Sequence, residues 1–125
     1  MGMTLRAPNM EAFETVAKVG AIDLAFLDRV TFSDRALARE VLVLFDQQAD
    51  SLLKVIRDTE STRMRLEIAH RLKGAARGVG AFLVARAAEE IETATDEIEL
   101  ANAISLLTAR VTEARLALAG LIGNA

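Results

Sequence analysis

The chain holds a single histidine, His70, and the residues around it are where type and spacing together suggest covalent chemistry. Lys73 follows at +3, Gly74 at +4 and Arg77 at +7, so all three lie within reach of the ring along a helix surface. With Leu72 placed at the centre of a buried stripe and about 100° per residue, Ala69, Ala76, Ile68, Val79 and Ala75 fall within about 60° of it. On the same wheel His70 falls at about 160°, almost opposite. The ring is therefore expected on an outward face. A glycine inside a helix costs about 1 kcal/mol relative to alanine, and Gly74 stands one turn from His70, where a missing side chain clears an approach to the ring. Lys73 and Arg77 border that approach with fixed positive charge. An accessible imidazole nitrogen, little steric cover and adjacent cations suit attack on a phosphoryl group. Each residue also has an ordinary reading, with Gly74 as a packing glycine, Lys73 and Arg77 as solvated charges, and His70 as surface filler. Their convergence on one histidine is what favours chemistry.

Other chemistries find less support. Cysteine is absent, which excludes disulfide and thiol chemistry and fits a reducing compartment. One histidine without matched ligands makes a poor metal cage, so no metal site is expected. The net charge of -3 argues against a nucleic-acid binder held by bulk charge. Apolar runs such as Val41–Phe45 and Ala81–Ala85 are far shorter than the roughly 18 residues a membrane span needs. The N-terminus lacks a signal-peptide pattern, so a cytoplasmic location is expected.

The elements that must carry His70 read as helices. Pro occurs once, Gly seven times, and no Gly lies between Gly20 and Gly74, a scarcity that suits long helices better than a turn-rich sheet. Residues 1–9 read as a loose tail, and residues 10–125 as one helical domain. A short helix is expected from Met10 to Val19, closed by Gly20 in the left-handed position. Asp23 can cap a second through Val30, and Thr31 to Asp34 form a turn that caps the next. From Asp34 to Asp58 runs an amphipathic helix with a stripe of Leu37, Val41, Leu44, Phe45, Gln48, Leu52, Val55 and Ile56. The next helix spans Arg63 to about Arg77 and is broken by Gly78-Val79-Gly80. Another covers Ala81 to Ala94. The last starts near Asp96, with Glu99 as a capping-box partner, and its stripe is Leu100, Ile104, Leu107, Val111, Ala114, Leu118 and Leu121. The fold class is all-α, an antiparallel four-helix bundle with a short N-terminal helical extension.

The stretch His70-Arg71-Leu72-Lys73-Gly74-Ala75-Ala76, followed by Gly78-Val79-Gly80-Ala81, resembles the signature of the histidine-containing phosphotransfer (HPt) family. Ile91-Glu92 resembles its hydrophobic-acidic pair on the following helix, and Ile22-Asp23 and Leu44-Phe45 fit its usual entry, so the similarity spans roughly residues 22 to 119. The resemblance implies that His70 is the phosphoacceptor, reacting through Nε2. It implies that Lys73 steadies the phosphoryl oxygens, that Gly74 keeps the ring accessible, and that Glu92 bonds the other ring nitrogen and fixes its tautomer. Arg77 departs from the pattern, standing where a small polar residue is more usual.

The same resemblance implies a phosphocarrier, not an enzyme, that exchanges a phosphoryl group with the aspartate of a response-regulator receiver domain. A hybrid sensor kinase would stand in the same relay. No Gly-rich phosphate loop is present, no cofactor is implied, and Mg²⁺ would come from the receiver. Between Arg63 and Arg77 lie five basic residues and one acid, Glu67, a face expected to attract an acidic receiver site, with Arg71 and Arg77 as docking residues. Glu89, Glu90, Glu92, Asp96, Glu97 and Glu99 form an acidic stretch read as a solvated face. Two alternatives stand beside this one: the dimeric phosphoacceptor bundle of a histidine kinase, and a helical scaffold that carries no phosphate. The kinase motif places an acid directly after the histidine and a proline soon after, whereas Arg71 follows here and Pro8 is the one proline. A monomer is therefore expected.

Overall fold

A computed structural model describes residues 20–123. Five helices lie wholly within that range: α1 (Leu24–Val30), α2 (Arg35–Asp58), α3 (Thr62–Val79), α4 (Phe82–Thr93) and α5 (Glu97–Gly123). The expected tail and Met10–Val19 helix lie outside the described residues. Gly20 does not end a helix in the left-handed region, since Gly20 and Ala21 are themselves helical and the one described glycine with positive φ is Gly80.

Short polar side chains set where the helices start. Asp23 accepts the Phe26 N–H at 3.0 Å, Asp34 accepts that of Leu37 at 3.0 Å, and Ser61 accepts that of Met64 at 3.1 Å, each satisfying a donor the first turn would leave unpaired. Asp96 accepts the Glu99 N–H at 2.8 Å. Glu99 reaches back, but to the N–H and hydroxyl of Thr95, both at 2.8 Å. The reciprocal cap therefore lands one residue upstream of its expected place. Between α1 and α2, Phe32 and Ser33 both take left-handed backbone, φ 57° and 58°, which costs residues with a Cβ.

The α3–α4 break belongs to Gly80 alone, because α3 continues through Gly78 to Val79. Gly80 has φ 85°, the Ala81 N–H donates to the Ala76 carbonyl at 2.8 Å, and the Gly80 N–H donates to that of Arg77 at 3.4 Å. These are the bonds of a Schellman ending. The Gly80 carbonyl in turn accepts the Asp23 N–H at 2.8 Å, which docks the start of α1 on the α3–α4 junction. An edge-to-face pair of Phe26 and Phe82, with centroids 5.1 Å apart, reinforces that contact.

The four long helices close a ring of contacts: α2 packs on α3 and α5, and α4 packs on α3 and α5. Phe45, Ile56, Leu72, Ile91 and Leu107 fill its centre. On α3 the buried residues are Ile68, Ala69, Leu72, Ala76 and Val79, the expected stripe less the half-buried Ala75. On α2 the stripe differs from expectation. Leu42, Phe45, Ala49, Leu52, Leu53 and Ile56 are buried, whereas Leu44 is 60% exposed, and Gln48 and Val55 are exposed. The helix is turned so that Ala49 faces the core and the Gln48 amide stays in water, where its donors and acceptor are satisfied without cost. On α5, Ala103 joins Leu107, Val111, Ala114 and Leu118 in the core, while Leu100, Ile104 and Leu121 are half-buried.

Two arginines tie elements together across the loops. Arg65 on α3 donates through Nε to the Ile56 carbonyl at 3.0 Å, and through Nη2 to that of Thr59. It thereby satisfies carbonyls at the C-terminal end of α2. Arg115 on α5 reaches Asp46 at 2.6 Å and Asp50 at 3.0 Å, both on α2.

Candidate functional site

His70 sits midway along α3 with its side chain 72% exposed. Leu72, Ala69 and Ala76 are wholly buried on the opposite face, so the packing of α3 aims the imidazole outward. Nδ1 lies 3.2 Å from Oε2 of Glu92 on α4. Among the described residues, no group bonds Nε2. A carboxylate accepts only, so it is an Nδ1–H that donates in this contact, while Nε2 faces the open side of the ring.

Glu92 has a second partner. Its Oε1 is 2.6 Å from Nζ of Lys73, whose side chain is only 12% exposed. The lysine stem lies along the α3–α4 seam and delivers its ammonium to the carboxylate beside the ring. Burial pushes the Glu92 carboxyl up, but hydrogen bonds from Lys73 and His70, with the positive charge of Lys73, outweigh it and hold the group below the ordinary carboxylate value. Glu92 is thus ionised and shared between a ring N–H and an ammonium.

Gly74 is exposed, and a Cβ built there meets no atom within 4 Å. The bundle itself does not require a glycine at this position; the space it leaves opens outward, next to His70. The same side of α3 carries a shallow depression bordered by Met64, Leu66, Glu67, Ile68, His70 and Arg71.

The charges differ from the sequence reading. Arg65 is half-buried and donates to carbonyls at the end of α2, so its guanidinium is already engaged within the fold. Lys73 is paired with Glu92, and both Lys73 and Arg77 stand 3.9 Å from Glu89. Glu89 and Glu92 therefore counter the basic residues of α3, and that part of the acidic stretch is not simply solvated. Arg63 lies 3.9 Å from Glu67. Arg71 is exposed and has no carboxylate within ion-pair distance among the described residues. Glu89, expected from the sequence as part of a solvated face, instead stands beside the site's cations. Its signal was the i, i+3 spacing with Glu92, which faces the i, i+4 pair Lys73 and Arg77.

Chemically, the site offers an exposed imidazole with a carboxylate at Nδ1, an ammonium on the same carboxylate and open access to the other ring nitrogen. No helix among the described residues is long and apolar enough to cross a membrane. No curated protein and no solved structure matches the chain significantly. Comparison with known families matches the Hpt domain over residues 38–121. That match takes in all of α3 and α4 and most of α2 and α5, and it starts after Ile22-Asp23. Such domains are phosphocarriers in two-component phosphorelays, not kinases. The exposed, Glu92-held histidine lies at the heart of the matched segment, and the chain belongs to the Hpt domain family.

Proposed function

We propose that His70 accepts a phosphoryl group at Nε2 and exchanges it with the aspartate of a response-regulator receiver domain. The observation that carries this reading is the division of the ring. Nδ1 is occupied by Glu92 at 3.2 Å, while the side chain is 72% exposed with Nε2 unpartnered among the described residues. Glu92 orients the imidazole and selects the tautomer. Lys73 supplies positive charge to the phosphoryl oxygens, and Gly74 leaves room for the partner to close on the ring. Arg71 and Arg77 contribute to docking on an acidic receiver site, which itself brings the Mg²⁺ that phosphoryl transfer needs. A hybrid sensor kinase is the expected source of phosphate.

The scaffold for this role is a single domain from residue 10 onward. Its α2–α5 helices, linked by short connections, are arranged as an antiparallel bundle, with α1 at one end. It acts as a cytoplasmic monomer that itself needs no cofactor. The test is incubation of the protein with a panel of phosphorylated receiver domains. Acid-labile, base-stable label on His70 is the expected result, and its absence with every receiver and with a small-molecule donor would sink the assignment.

A further inference from the structure

Glu92 holds two groups at once, and one of them is the cation that the reading of His70 assigns to the phosphoryl oxygens. Lys73 Nζ lies 2.6 Å from Glu92 Oε1 and 3.9 Å from Glu89, so Glu92 is its principal partner. With its side chain 12% exposed, the ammonium is seated in the α3–α4 seam. A phosphoryl group on Nε2 would bring further negative charge to the far edge of the same ring. Two anions then compete for one cation, since an ammonium seated on Glu92 neutralises the phosphoryl oxygens less well. Resting on the phosphoacceptor reading of His70, we propose that Glu92 has a role opposed to its orienting one: it holds Lys73 in reserve and limits how readily His70 takes up phosphate.

Glutamine at position 92 separates the two roles. Its carbonyl oxygen can still accept from Nδ1–H and keep the tautomer, while a neutral amide loosens its hold on the ammonium. Removing the carboxylate also makes the ring less basic. Phosphoryl transfer passes through a loose transition state with little bond formation to the nucleophile, so charge at the phosphoryl oxygens outweighs ring basicity.

Phosphoramidate is a suitable probe because it needs no partner protein. Nε2 attacks phosphorus, the new N–P bond forms, the donor's P–N bond breaks and ammonia leaves, while the Nδ1 proton stays on the ring facing residue 92. Labelling rates would be measured for the wild type, Glu92→Gln, Lys73→Met and the double variant, with ¹⁵N NMR of the ring reporting the tautomer. Glu92→Gln should label faster, by up to about fivefold for the release of one partly exposed ion pair, with Nδ1 still protonated. In the Lys73→Met background the same substitution should give no gain. A Glu92→Gln rate equal to or below wild type, or a gain that survives without Lys73, would overturn the inference while leaving His70 as the acceptor. A wild-type protein that takes no label at His70 would overturn the acceptor reading, and the inference with it.

Discussion

The backbone of Gly80 meets the backbone of Asp23 twice: its carbonyl accepts the Asp23 N–H at 2.8 Å, and a Cβ on Gly80 would stand 3.0 Å from the Asp23 carbonyl oxygen. Gly80 is therefore required both for its φ of 85° and for the closeness of α1. Gly80→Ala should destabilise the fold by about 1–3 kcal/mol, seen as a lower thermal midpoint. Gly78→Ala, where a Cβ meets nothing within 4 Å, should not. Equal melts for the two variants would show that the α3–α4 break is less demanding than the geometry indicates.

His70→Ala should abolish phosphoryl acceptance and shift stability by no more than about 0.5 kcal/mol, as for other exposed positions. Label retained by this variant would place the acceptor elsewhere, and an unfolded variant would contradict the ring's outward position.

Gly74→Leu should keep or raise stability, by up to about 1 kcal/mol, because a helix-interior glycine is removed and its Cβ has open space. Transfer from a receiver should nevertheless fall sharply, since the new side chain covers the approach to His70. Unchanged transfer would mean that the partner does not come over this face.

Lys73→Ala should slow transfer by about tenfold at saturating receiver, less than the loss of a donor in a dry site, because the His70 ring it serves is 72% exposed until docking and its ammonium is shared with Glu92. Arg71→Ala should chiefly weaken association, with an effect that shrinks as salt rises. Transfer rates at two ionic strengths for both variants separate these roles. Should Arg71→Ala be the more damaging at saturation, the catalytic cation is Arg71.

Glu92 gives a pH dependence with a definite sign. Its carboxyl is held below the ordinary value in the folded protein, the upward push of burial being outweighed by Lys73 and His70. Its stabilising contribution is therefore full above the unfolded-state pKa and is lost as pH falls through the folded one. Urea midpoints of wild type and Glu92→Gln should differ at pH 7 and draw together as pH falls below the ordinary carboxylate range, with the size of the gap damped by the quarter of the side chain that faces solvent. A gap that persists in acid would show that shape, not charge, makes the difference.

What was legible in the sequence followed from local geometry. Spacing alone turned His70 away from Leu72, and Asp23 and Asp34 marked helix starts because a cap acts within three residues. The α2 register was harder, since Val41 to Phe45 is apolar at five successive positions and the wheel leaves its inward face undecided. Only contact with α3 and α5 settles Ala49 inward and Gln48 outward. Glu92 came from family resemblance, because no local rule links residues on different helices. The pairing of Lys73 with Glu92, the reach of Arg65 to Ile56 and the Arg115 clamp on Asp46 depend on how long side chains cross between helices. Charge counts along the chain cannot show which cations are already spoken for.

The openness that makes His70 reachable also governs how long it could store what it receives. Neither loop nor lid closes over the ring among the described residues, and its side chain is 72% exposed. A phosphoramide formed at Nε2 would therefore stand in bulk water from the moment the donor departs. Its survival would depend on the intrinsic hydrolytic chemistry of a nitrogen–phosphorus bond, and on the acidity of the medium, rather than on shelter from the fold. Such a carrier keeps time by solution chemistry, and only a docked partner can stop or hasten its clock.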